Sequence, residues 1–202
     1  MRAMPRFPPP LTGSRAELQR PRAAAGFTLV ELMIVVLVGA ILLGLAVPAM
    51  QGLLASNQLL SLTDGFASSL SLARSEAAKV GANVTLATTG GTNWGSATPA
   101  WTMTWTDSSG NVNTIRTGAA FPANYAMHSG NSIAGALAFD STGRIVGGAS
   151  GVFVICQGGG PWGGGAAKMI TVAASGRVRV AQNDSSGQPI NDAGTAVTTC
   201  TP

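Results

Sequence analysis

The stretch GFTLVELMIVVLVGAILLGLAVP, residues 26–48, decides the architecture. It carries one charge, Glu31, and no other charged residue follows until Asp64. About 20 apolar residues rising 1.5 Å each cross a hydrocarbon core roughly 30 Å thick, so the run has membrane length. A carboxylate in such a run costs about 2.5–3.5 kcal/mol at mid-membrane and less at the edge, where Glu31 stands. Its retention predicts a partner for it.

Charge differs sharply on the two sides of this run. Ahead of Phe27, Arg2, Arg6, Arg15, Arg20 and Arg22 face only Glu17, a net charge of +4; beyond it, seven basic residues cancel seven acidic ones. The pI near 9.8 therefore belongs to the first 26 residues and is no evidence for a nucleic-acid partner. By the positive-inside rule the basic segment stays cytoplasmic, which predicts that the rest of the 202-residue chain is exported.

Gly26, Phe27, Thr28, Leu29, Val30 and Glu31, followed by the apolar run 32–36 and closed by Pro48, resemble the type IV pilin superfamily. The resemblance implies cleavage by a prepilin peptidase between Gly26 and Phe27, and N-methylation of Phe27. It also implies that Glu31 faces the N-terminal amine of a neighbouring subunit during assembly. Its implied location is the bacterial inner membrane, single-pass with a periplasmic domain, and then a pilus or pseudopilus built with other pilins or pseudopilins.

The expected organisation is a basic leader over 1–26, a membrane or filament-core helix over 27–48, an amphipathic continuation over 49–81, and an exported β domain with a polar tail over 82–202. Leu59, Leu62, Phe66, Leu70, Ala73, Ala77 and Val80 recur at three- and four-residue steps, giving the second half of the helix one apolar stripe that needs a sheet to cover it. Gly81 is a C-terminal stop, and Glu76 and Lys79 are placed to pair. Gly39, Gly44 and Pro48 weaken the middle of the helix, predicting either a simple kink or a segment that unwinds on assembly. Beyond Gly81, short alternating runs at 83–87, 101–106, 136–139, 151–156, 169–173 and 177–181 read as strands of an antiparallel sheet laid on that stripe. Trp94, Trp101, Trp105 and Trp162 are expected to pack the sheet or its loops.

The segments 139–145 and 73–79 look like the minor-pilin branch that includes FimT, of type IV pili, and GspH, of type II secretion. That branch implies an α+β pilin fold: a long N-terminal helix packed on an antiparallel domain of two small sheets. The Gly143-Arg144 step itself reads as a tight turn before a strand. Cys156 and Cys200 lie in the exported part, where an oxidising compartment allows a disulfide; closing a loop of about 44 residues would stabilise the fold by roughly 4 kcal/mol and staple the tail, 182–199, to the strand ending at Cys156.

Catalytic chemistry finds no support. Residues 158–163 match G-x-G-x-x-G, but no helix follows to hold a pyrophosphate, so they read as a mobile loop. There is no G-K-S/T, no G-x-S-x-G, and one His, His128, expected in a loop. Neither a metal site nor a cofactor is expected. The chain reads as a substrate of processing enzymes, not an enzyme.

One constellation suits a ligand. In Gly176-Arg177-Val178-Arg179-Val180, residues two apart on a strand point to the same side roughly 6.6 Å apart, so Arg177 and Arg179 form a guanidinium fork while the valines face the core. The segment looks like the Gly-Arg-x-Arg motif associated in the FimT group with DNA capture for natural transformation. That resemblance implies nonspecific contact with duplex phosphates through Arg177 and Arg179, helped by Lys168 and shaped by Gly176. The alternative function is a structural minor pseudopilin, similar to GspH, at the tip of a type II secretion pseudopilus, with no DNA binding.

Overall fold

The computed structural model of the protein describes residues 26–96, 98–133, 135–158 and 166–200. The leader ahead of Gly26, most of the glycine-rich stretch 158–163 and Trp162 lie outside the described residues. One helix, α1 (Leu29–Val80), is followed by eight strands: β1 (Val84–Ala87), β2 (Trp101–Thr106), β3 (Val112–Gly118), β4 (Tyr125–Ser129), β5 (Ala136–Phe139), β6 (Gly151–Gln157), β7 (Ala167–Val172) and β8 (Val178–Val180). The strands form two four-stranded antiparallel sheets, in the orders β3-β2-β1-β5 and β4-β6-β7-β8. This is the expected α+β pilin fold.

The chain divides into two compact units between Leu45 and Ala46. In the first, α1 exposes its apolar side chains on every side, and by length and composition the helix is apolar enough to cross a membrane. In the second, α1 buries Leu59, Phe66, Leu70, Ala73 and Ala77 against both sheets, which is the stripe expected from the three- and four-residue spacing. The buried hydroxyl of Thr63 donates to the carbonyl of Leu59, four residues back, so no polar group on this face is left unsatisfied there. The helix ends at Gly81, whose φ of 66° suits glycine and whose N–H donates to the Ala77 carbonyl at 3.0 Å. Glu76 and Lys79 pair at 3.3 Å.

Phe66 joins the layers. Its ring meets Trp101 of the first sheet at 5.8 Å, Phe153 of the second at 4.9 Å, and Trp94 of the connecting loop at 6.1 Å, all edge-to-face. Trp94 also meets Phe153 at 5.1 Å and donates its indole N–H to Ser129 Oγ at 3.0 Å. Edge-to-face pairs are worth about 0.5–1.5 kcal/mol each beyond area burial. The opposite face of the second sheet has its own cluster, in which Val154, Cys156, Ala167, Met169 and Ala181 are covered by Val197 and Cys200. The Cys156–Cys200 disulfide closes this cover, holding the tail as expected.

Five tight turns repeat one design. At 107–111, 140–144, 173–177, 184–188 and 191–195, the first residue's N–H bonds the fifth residue's carbonyl, and a glycine in fourth place, at positive φ, donates back to the first. This is a three-residue hairpin loop whose glycine adopts the left-handed conformation. In four of the five, an Asp or Asn in first place also accepts backbone N–H groups through Oδ1. The polar tail is thus two successive turns with bridges Asn183–Pro189 and Ile190–Ala196.

Some expectations need correction. Two strands, β3 and β4, were not expected from the alternation: β3 is mostly exposed and sets only Val112 and Ile115 among polar residues, and β4 carries His128 and Ser129 beside Tyr125 and Met127. His128 therefore sits in a strand and not a loop. Segment 169–173 begins two residues earlier, at Ala167, and segment 177–181 narrows to Val178–Val180. The turn at Gly143-Arg144 leads to a single bridge, Phe139–Ile145, instead of a strand.

Removing the central ring tests this packing. Phe66→Ala should destabilise the fold by about 3–5 kcal/mol, read as a lower denaturant midpoint at unchanged slope; a loss under about 1 kcal/mol would remove the role given to Phe66. For the tail, unreduced protein treated with an alkylating agent should show no free thiol by mass spectrometry, and Cys156→Ser should lower stability by roughly 4 kcal/mol. Two alkylated thiols would contradict the pairing.

Candidate functional site

Two regions carry the residues singled out by sequence. At the start of α1, a side chain placed at Gly26 would meet open space, and Phe27 is exposed. Thr28 caps the helix: its Oγ1 accepts the Glu31 N–H at 3.2 Å, and its carbonyl accepts the Leu32 N–H at 3.2 Å. Thr28 and Glu31 stand at the spacing of a capping box. Glu31 lies in the first turn, where the helix dipole favours an anion, and its carboxylate makes no hydrogen bond or ion pair among the described residues.

The second region is the β7–β8 hairpin. Ala173 N–H donates to the Arg177 carbonyl at 2.9 Å and Gly176 N–H to the Ala173 carbonyl at 2.7 Å, so Arg177 closes the turn and precedes β8 instead of lying within it. Arg179 is central in β8, opposite Thr171. Both arginines are exposed, and Val178 and Val180 pack half-buried on the core, as the alternation requires. Arg179 is not free: its guanidinium pairs with Asp192 in the second tail turn.

Lys168 is separated from this pair. It is opposite Ile155 in register and shares the helix-facing side of β7 with Ile170 and Val172, whereas Arg179 shares the other side with Thr171. Its Nζ donates to Asn183 Oδ1 at 3.3 Å. The three cations expected to act together therefore occupy two faces of one sheet.

Arg177 instead borders a groove of about 440 Å³ between α1 and two turns, with Ser71, Arg74, Ser75, Thr142 and Val178 in its lining. Arg74 Nε donates to the Gly143 carbonyl at 3.0 Å. The turns at Gly143 and Gly176 touch: a Cβ at Gly176, where φ is +78°, would lie 1.8 Å from the Gly143 carbonyl oxygen and 3.2 Å from Arg74 Nε. The motif glycine is thus required both by the turn and by this close approach. The Thr142 hydroxyl donates to Asp140, and this bond chiefly holds the Asp140 carboxyl below its ordinary pKa, helped by the Arg144 N–H. Arg74 escaped sequence reasoning because it is 69 residues from Gly143 and reads locally as a solvated helix position.

His128 faces away from α1 on β4, bridged to Asn93, and partial burial holds its pKa below the usual value. No group of three metal-ligating side chains occurs among the described residues.

Residues 62–176 match the family described as Type II transport protein GspH, and residues 21–47 match the prokaryotic N-terminal methylation motif. Comparison with curated proteins returns no match. Among solved structures, the type IV minor pilin FimU of Pseudomonas aeruginosa strain PAO1 is similar in two crystal forms. One gives a TM-score of 0.53 at 21% identity, covering 72% of this chain and 96% of that one. The other gives 0.50 at 20% identity, covering 70% and 99%. With its N-terminal methylation motif, its long helix on two antiparallel sheets and more than half its length matched to one family, the chain belongs to the GspH family of type IV pilin-like minor pilins and pseudopilins.

Proposed function

We propose that the protein is a minor type IV pilin that assembles into the pilus and binds extracellular duplex DNA without sequence preference for uptake in natural transformation. A prepilin peptidase cuts after Gly26 and leaves Phe27 as the methylated N-terminus. The chain then waits in the inner membrane as a single-pass protein with a periplasmic domain. Glu31, whose carboxylate has no partner among the described residues, pairs with the terminal amine of a neighbouring pilin on assembly. Arg177 and Arg179, both exposed on an edge hairpin, carry the DNA reading, since guanidinium groups suit phosphates; Arg177 has no ion pair among the described residues, whereas Arg179 joins only on release from Asp192. Two or three such contacts support only about 10⁻⁴–10⁻⁶ M affinity, so capture depends on several copies linked in one filament. Nothing in this role calls for catalysis or a cofactor.

A second reading is a structural pseudopilin at the tip of a type II secretion pseudopilus. The family description and the neutralisation of Arg179 by Asp192 favour it.

Processing and assembly are tested in cells. A bulky residue at Gly26 should leave a precursor longer by the leader on an immunoblot, and Glu31→Ala should be cut yet enter filaments poorly; normal incorporation of that variant would remove Glu31 from assembly. The two functional readings separate on a fluorescence-anisotropy titration with unrelated duplexes at two salt concentrations. The pilin reading expects equal binding of all duplexes. It also expects the Arg177→Ala, Arg179→Ala double variant to lose affinity and salt slope, about 0.9 per phosphate contact removed, with DNA uptake lowered and secretion intact. A parent that binds no duplex leaves the pseudopilin reading.

A further inference from the structure

We propose that the groove between α1 and the Gly143 and Gly176 turns is a phosphate seat formed by Arg74 and Arg177, and that Arg179 is held away from it by Asp192. As a nucleic-acid contact it rests on the pilin reading above; as an oxyanion site it stands on the groove itself.

Four observations carry it. Arg74 and Arg177 come from distant parts of the chain and line one groove, and neither has an ion pair among the described residues. Arg74 is oriented by a single bond, Nε to the Gly143 carbonyl, which leaves the Nη donors of its fork unspent. Ser71, Ser75 and Thr142 line it with hydroxyls that already donate to Ala67, Leu72 and Asp140, so the arginines are its donors, and no carboxylate lines it. The two glycines keep that wall low, since a Cβ at Gly176 would intrude on both the Gly143 carbonyl and Arg74.

The surrounding charges fit an anion at this end. Asp140 spends Oδ1 on Thr142 and on the Arg144 N–H, and Glu76 is paired with Lys79. Asp64 borders the adjoining groove beside Val178 and Val180, ten residues before Arg74, or about 15 Å along the helix. Phosphate is thereby drawn to the Arg74 end. The ligand class is a phosphate group, from a nucleic-acid backbone or free in solution.

The test uses the mature full-length chain in detergent, with two probes: a labelled duplex followed by anisotropy, and inorganic pyrophosphate followed by arginine side-chain N–H resonances. Arg74→Gln and Arg177→Gln should each weaken duplex binding about tenfold, the effect of one lost charge-assisted hydrogen bond, and lower the salt slope by about 0.9. Arg179→Gln should change affinity less than twofold. Because Arg74 also ties two turns to the helix, Ser71→Asp supplies a variant that leaves its bond to Gly143 in place; it should weaken binding as much, at an unchanged melting temperature. Pyrophosphate should shift the Arg74 and Arg177 resonances and leave that of Arg179 in place. If pyrophosphate binds in this pattern and duplex does not, the seat stands for free phosphate and the DNA reading fails. If duplex binds but Arg74→Gln and Ser71→Asp match the parent, or Arg179→Gln costs as much as Arg177→Gln, the seat is overturned while the DNA reading survives. Binding of neither probe overturns the seat.

Discussion

The domain depends on one constraint: a helix with a single apolar stripe must be covered by two sheets at once. Phe66 meets it by presenting its ring edge-to-face to Trp101 on one sheet, Phe153 on the other and Trp94 between them. Trp94 brings a polar N–H into this core and can do so because Ser129 accepts it, while the Ser129 hydroxyl donates in turn to the Ile133 carbonyl. One aromatic residue thus fixes the distance of each sheet from α1. That distance sets where the turns at the sheet ends fall against the helix.

Turn chemistry then does the positioning. The same five-residue loop with glycine in fourth place recurs along the β domain, and each copy reverses the chain without needing a core of its own. Where two copies meet, at Gly143 and Gly176, the absence of side chains lets backbone lie against backbone, and Arg74 bonds across the junction. In the tail, two more copies lay Val197 and Cys200 on the outer face of β6 and β7, where the disulfide holds them. The tail is consequently part of the fold and supplies Asp192 to Arg179.

Charge beyond the apolar run is sparse and balanced, so geometry decides what each cation can do. Arg177 and Arg179 are two residues apart and look equivalent along the chain, yet one ends a turn above the helix groove and the other meets a carboxylate from the tail. Lys168, at the other end of β7 from the turn, is set on the opposite side of the sheet from Arg179 by the alternation of a strand.

The sequence by itself determined the membrane-length apolar run, the helix and its stripe, and most strands, because these follow from local periodicity. It also contained an unused sign of β3: Asp107-Ser108-Ser109-Gly110-Asn111 is the same hairpin loop, and such a turn after β2 requires a returning strand even though β3 is too exposed to alternate clearly. Only the tertiary structure decided which cations share a surface. Arg74 reaches the Gly143 and Gly176 turns because the stripe on its own helix docks the sheets beside it, and Asp192 reaches Arg179 because the tail folds back under its disulfide. Both are contacts between residues far apart in the chain, which no local spacing encodes.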